Sequence, residues 1–353
     1  MKNAFILCLL AFCSEVGYSH AQETLTKELI FGEVEEGFVG GDIYHVKNDE
    51  FLYSVHIHIK VSNTESGEER GGACSGTVIG SYHIITAAHC FNKSENERIS
   101  SVMVGIGKKP TPYNGGVEVR NGYIHKLYSE TRNPDYDVAV IRTLDPIVDT
   151  PRAIVITSDK LFSILEDMST NLERSIVTGF GYFVNGNGVK IQDDVNSKFL
   201  SECGGEPFYK NLAGSFPNEL KAAVVTLRDQ NMLTHPHVTK SLSCQFPSTP
   251  CFGDSGGGLF ADLSSSKTLE KQRILIGTVV GQTSSSFKAA KADGAIIWVQ
   301  DPNRYRYCFT DASEAKYINL AFFTDFIIEA VERSGLNALE EVCFDNGSFE
   351  CLK

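Results

Sequence analysis

The chain has no clustered basic stripe. Its 32 Lys and Arg stand against 44 Asp and Glu, for a formal net charge of -12, and a surface of that balance repels phosphate backbones and anionic lipid headgroups. Nucleic acid and anionic membranes are thereby excluded as partners. Beyond residues 4–13 there is no apolar run approaching the roughly 20 residues that a bilayer-spanning helix requires. Closely spaced Cys doublets are missing, which removes the usual zinc arrangement, and no internal repeat is visible.

What is present begins with a leader. Lys2, the apolar run 4–13 and the small-residue site ending Ser19-His20-Ala21 read as a secretory signal peptide over 1–21, cut before Gln22. The chain is expected to be secreted and extracellular. Cys8 and Cys13 leave with the leader, so eight of the ten cysteines remain, an even set suited to an oxidising compartment. Residues 22–37 are polar and acidic and read as a short pro-segment.

With 353 residues, 42% of them hydrophobic, the chain can bury one large core. Alternation of apolar and polar residues over 51–61, and branched apolar runs at 71–86, 102–106, 138–144, 175–178, 222–227 and 274–280, predict strands separated by Gly, Pro and Asn turns. Such spacing favours an all-β architecture over a βαβ one. A helix is expected near the end, where Phe322, Phe323, Phe326, Ile327, Ala330 and Val331 form one stripe and Gly335 stops it. The long polar stretches 182–218 and 283–307 read as surface insertions.

Three short motifs carry chemistry. They are Thr86-Ala87-Ala88-His89-Cys90, then Asp135-Tyr136-Asp137-Val138-Ala139-Val140-Ile141, and then Cys251-Phe252-Gly253-Asp254-Ser255-Gly256-Gly257-Gly258. A serine hydroxyl becomes a nucleophile only beside a base, and that base needs a third group to hold its tautomer. An α/β-hydrolase esterase would place Ser first and His last, the reverse of the order here. The three motifs, in the order His, Asp, Ser, resemble the chymotrypsin/trypsin family of serine endopeptidases.

The resemblance implies two antiparallel six-stranded β-barrels with a C-terminal α-helix, over a domain at 38–334 that leaves 335–353 as an extension. His89, Asp137 and Ser255 would be catalytic, and the N–H groups of Gly253 and Ser255 would form the oxyanion hole. Asp135 competes with Asp137, because a strand would put both carboxylates on one face. Asp137 is preferred since the apolar run follows it directly, and Asp135 then reads as a solvated loop residue. Phe38-Val39-Gly40-Gly41 resembles an activated amino terminus, with Phe38 pairing to Asp254. Gly37 ahead of it argues against activation by a trypsin-like enzyme.

For specificity, Thr249 falls at the floor of the pocket where a trypsin-like member carries Asp, which argues against Arg or Lys. Val280, Gln282 and Ala315 would line the same pocket, and Val280 replaces a family Ser that contacts the catalytic Asp. Cys74 with Cys90 and Cys251 with Cys308 resemble family disulfides, the first closing a loop worth roughly 3 kcal/mol. Cys203 with Cys244 and Cys343 with Cys351 are left by elimination. Asn92 and Asn346 fit the glycosylation pattern. His56 and His58 share one side of a strand but lack a third ligand, and so read as an exposed face, as do His235 and His237.

The function implied is a secreted endopeptidase made as a zymogen, needing no metal or cofactor. Its partners would be a protein or peptide substrate and an activating protease or inhibitor, with the enzyme itself a monomer. The rival is a weakly active or inactive homologue that serves as a secreted binding or regulatory module.

Overall fold

The computed structural model describes residues 43–45, 51–107, 116–157, 175–181, 183–185, 213–215, 219–225, 237–240, 250, 253–263, 272–282, 287–290, 296–299 and 315–344. After a short strand β1 (Ile43–His45), the first half runs through β2 (Ser54–Asn63), β3 (Glu69–Val78), β4 (His83–Thr86), β5 (Glu97–Gly105), β6 (Val117–Ile124) and β7 (Ala139–Thr143). These six close into an antiparallel barrel in the order β2-β3-β4-β7-β6-β5. The period-two pattern of β2 is the reason. Val55, Ile57, Ile59 and Val61 are all buried and meet Val78, Ile84, Val102, Val104 and Ile141 inside the barrel, each such side chain contributing roughly 1.5–3 kcal/mol.

The second half contains β8 (Ile154–Val155), β9 (Ser175–Gly179), β10 (Phe183–Asn185), β11 (Ala213–Ser215), β12 (Lys221–Val225), β13 (His237–Lys240), β14 (Gly258–Leu263), β15 (Gln272–Gln282), β16 (Phe287–Ala290), β17 (Ile296–Val299) and β18 (Ala315–Asn319). Its main sheet has eight strands, in the order β1-β12-β9-β14-β15-β18-β13, with β8 against β15. Six of them, β9, β12, β13, β14, β15 and β18, are joined by antiparallel pairings, and three, β9, β12 and β15, fall on the apolar runs read as strands at 175–178, 222–227 and 274–280. Two are additions: β1 extends the edge at β12, and β8 joins β15 in parallel. The stretches expected to be plain surface insertions each contribute to a two-stranded sheet, β10 with β11 and β16 with β17.

Alternate residues of β4 and β7 point away from the barrel. Ile85, Val138 and Val140 pack with Val177, Phe260, Val279 and Tyr317 in the larger core, which joins the two halves. The C-terminal helix is α2 (Thr324–Glu332), after the short α1 (Lys126–Thr131). Phe323, Ile327, Ala330 and Val331 are buried as the stripe requires, but Phe322 is 45% exposed. It lies in the 3-10 turn Leu320–Phe323 ahead of the helix, where the tighter winding rotates it off the stripe. Gly335 adopts φ +80° just beyond. Among the described residues no helix is long and apolar enough to cross a membrane.

His56 corrects the reading of an exposed face. It is 3% exposed and stacks on Phe180 at 5.3 Å between ring centroids, because the outer side of β2 faces the second half. Burial, with His58 beside it, pushes its pKa down to about 3, so the ring stays neutral.

The extension beyond 335 is part of the core. Helix α3 (Ala338–Glu341) starts at Asn337, whose side chain accepts from Leu339 N–H, and Ala338, Val342, Cys343 and Phe344 are buried behind it. The Glu341 carboxylate accepts from Tyr82 N–H at 2.8 Å and meets His83 Nδ1 at 3.2 Å, while its carbonyl accepts from Arg152.

Burial pushes the Glu341 carboxyl up, but the bonds from His83 and Tyr82 N–H, with the charges of His83 and Arg152, outweigh it and hold the group below its ordinary 4.5. A depressed folded-state value stabilises above the unfolded value and is lost as pH falls through the folded one. The protein should therefore lose stability as acid is added below about pH 4.5. Glu341→Gln should flatten that part of the profile of unfolding temperature against pH, and an unchanged slope would assign the effect to other carboxylates.

Candidate active site

His89 sits in the 3-10 turn Ala88–Phe91 that follows β4. Ala87 and Ala88 are fully buried, so only small side chains fit where the turn is packed. The Cys74–Cys90 disulfide, with Cα atoms 6.3 Å apart, ties the turn back to β3 as expected, and its sulfurs lie within 4.8 Å of an imidazole nitrogen. Being joined to each other, they are not available to a metal. Asn92 at the end of the turn is exposed; its amide donates to Tyr128 Oη at 2.8 Å, and its side-chain oxygen accepts from Arg132.

Asp137 follows a 3-10 turn, Pro134–Tyr136, which begins with Pro and is capped by the Asn133 side chain. It is 2% exposed. Its Oδ1 accepts from His89 N–H and its Oδ2 meets His89 Nδ1, both at 2.7 Å. A buried carboxylate this well bonded fixes the ring in one orientation, with the hydrogen on Nδ1 and Nε2 left to accept. Asp135 does not share the role. Asp135 lies in the turn and Asp137 directly after it, neither in a strand, and Asp135 forms an ion pair with Lys316 of β18, so it is not the solvated loop residue that the sequence suggested.

Ser255 lies on the loop before β14. Gly253 and Gly256 have φ of +93° and +83°, values that side-chain-bearing residues rarely adopt. At Gly256 a Cβ would also meet Thr86 Oγ1 at 2.0 Å and the Ser75 carbonyl at 2.3 Å, so glycine is what allows this loop to lie against the barrel. Ser75 N–H donates to the Ser255 carbonyl, and Gly256 N–H to the Val279 carbonyl. Among the described residues, the amides of Gly253 and Ser255 donate to no carbonyl or side chain. The Ser255 hydroxyl donates to the Val280 carbonyl at 3.4 Å and has no bond to His89 among the described residues.

The Asp254 carboxylate is cradled by two glycines. Gly181 N–H donates to its Oδ1 at 2.7 Å, and a Cβ at Gly179 or Gly181 would meet that oxygen at 2.1 or 2.5 Å. Burial, and then the Asp254 charge, push the pKa of the neighbouring Tyr317 hydroxyl up.

Val280 is partly buried against the larger core. Gln282 and Ala315 are register partners at the ends of β15 and β18, and a bulge between Val279 and Gly281 precedes them. Phe38, Thr249, Asn346 and Cys203, Cys244, Cys251, Cys308 and Cys351 lie outside the described residues, as do the leader, the pro-segment and His235. Cys343 is buried. Sequence reasoning missed Ser75, Phe180, Gly181 and Lys316; a lone Lys within the apolar stretch 315–320 was the only signal for any of them.

The family model described as Trypsin matches residues 46–201, a range that includes His89 and Asp137 and ends before Ser255. Over 200 residues the chain is 28% identical to a protein described as Trypsin from Simulium vittatum, covering 54% of this chain and 66% of that one. Over 77 residues it is 36% identical to Transmembrane protease serine 11C from Mus musculus, covering 21% of this chain and 17% of the other. The chain thus spans less than two thirds of either relative's length.

Proposed function

We propose that this chain, which belongs to the chymotrypsin/trypsin-like family of serine proteases, is a secreted serine endopeptidase with His89, Asp137 and Ser255 as its triad. The observation that carries the reading is the two-point hold of Asp137 on His89, at the ring and at the backbone. In the proposed reaction Ser255 Oγ attacks the peptide carbonyl carbon while His89 Nε2 takes its proton. The developing oxyanion is received by the amides of Gly253 and Ser255. The C–N bond then breaks, the amine leaves with the proton from His89, and water hydrolyses the acyl-enzyme by the same steps in reverse.

Asp254 is proposed to pair with the amino group of Phe38 once residues 22–37 are removed, which makes the chain a zymogen. The cradle of Gly179 and Gly181 supports a carboxylate held in one place for that purpose. With Thr249 in place of a buried anion, a small or medium uncharged residue is the proposed preference before the scissile bond.

A second reading, a binding module without turnover, draws on the bond from the Ser255 hydroxyl to the Val280 carbonyl. Catalytic hydrogen bonds often form only when substrate is bound, so one experiment separates the two. The secreted protein is treated with a fluorophosphonate and its amino terminus is sequenced. Labelling that appears when Phe38 is the first residue, and is absent in Ser255→Ala, is the result expected of the enzyme. Absence of label before and after processing would leave the binding module.

A further inference from the structure

We infer that Ser75, the residue after the disulfide cysteine of β3, is a positioning residue that sets the oxyanion-binding amides of the Gly253–Ser255 loop. The inference rests on the hydrolytic reading above. Ser75 is 1% exposed, and its hydroxyl is fully used: it accepts from Phe180 N–H at 2.9 Å and donates to the Gly253 carbonyl at 2.8 Å. Because the Phe180 amide can only donate, the single hydroxyl hydrogen is committed to Gly253. The backbone of Ser75 holds the other end of the loop, its N–H donating to the Ser255 carbonyl at 2.8 Å. Its carbonyl is held in turn by Thr86 Oγ1, three residues before His89.

One residue therefore grips the carbonyls at both ends of the tripeptide whose amides would bind the oxyanion. A carbonyl fixed in direction fixes its own peptide plane. The two planes held here carry the Asp254 and Gly256 N–H groups; they bracket the plane that carries the Ser255 N–H and adjoin the one that carries the Gly253 N–H, limiting how far either can turn. Ser75 also anchors Phe180, whose neighbour Gly181 binds Asp254, so the hydroxyl connects the barrel, the loop and the carboxylate at one point. Alanine would leave a buried donor and a buried acceptor unpaired. The Gly253 peptide, held at φ +93°, would then lose its restraint.

The test is the kinetics of fluorophosphonate labelling on the full secreted chain with Phe38 exposed. The tetrahedral phosphonyl group places an oxygen among the same amides, so Ser75→Ala should lower the maximal labelling rate about 10- to 100-fold, somewhat less than losing a donor outright. The half-saturating probe concentration should hold, and so should the pH profile of labelling. Ser75→Thr, which keeps the hydroxyl, should recover most of the rate. If Ser75→Ala does not fold, Ser75→Cys, with its weak S–H donor, should show an intermediate loss. A labelling rate within twofold of the wild type in the variant that folds would overturn the role, as would a rise in half-saturation alone. A wild-type protein that never labels overturns the hydrolytic reading itself, and this role with it.

Discussion

Asp137→Asn should lower the proposed peptide hydrolysis about 10⁴-fold, the loss characteristic of this change in a Ser-His-Asp triad. The local geometry gives the reason. Both Asp137 oxygens accept hydrogen bonds, one from His89 N–H and one from Nδ1. An amide offers one acceptor and two donors, so one of the two contacts must face an NH₂ group. If the ring turns to the other tautomer, Nε2 carries hydrogen and can no longer receive the Ser255 proton. Thermal unfolding should shift far less than activity, since the shape of the side chain is kept.

Asp135→Asn is the matched control. It loosens an ion pair to Lys316 across the two halves, and its effect on kcat/KM should stay within a few fold. Equal losses from the two variants would mean that the assignment between these carboxylates is wrong.

Removing residues 336–353 should lower the unfolding temperature by roughly 10–20 °C or prevent folding. Val342 and Phe344 are buried, and losing each costs about 1.5–3 kcal/mol. The tail also supplies backbone bonds: Val155 N–H donates to the Cys343 carbonyl, and Val155 and Phe344 form a parallel bridge. With the Glu341 contacts to Tyr82 and His83 added, the loss approaches about 5 kcal/mol, against a total stability of about 5–15 kcal/mol. In a chain of this size each kcal/mol is worth about 2–4 °C. A truncated protein melting within a few degrees of the full chain would show the tail to be an accessory.

The tail also marks where sequence reading stops. Half of its 18 residues are apolar, but nothing in their spacing says that Ala338, Val342 and Phe344 enter the core that joins the halves. β2 was readable because burial imposes a two-residue period that any window of the chain contains, and β3, β4, β5 and β7 lie on or overlap apolar runs, whereas β6, with only Val117, Val119, Tyr123 and Ile124 apolar, was not legible as a strand. His89 was readable for a related reason, since its motif is local: a tight turn beside a cysteine.

By itself the sequence determined the all-β architecture, the order of His, Asp and Ser, and the Cys74–Cys90 clamp. Only the tertiary structure put Asp137 against His89 and Asp135 against Lys316, buried His56 against Phe180, and brought Ser75 to Gly253, 178 positions away. Period and motif are properties of neighbours along the chain, set by backbone geometry. Which carboxylate is buried, and which hydroxyl finds a carbonyl, depends on surfaces that exist only after the barrel and the second sheet have closed on each other.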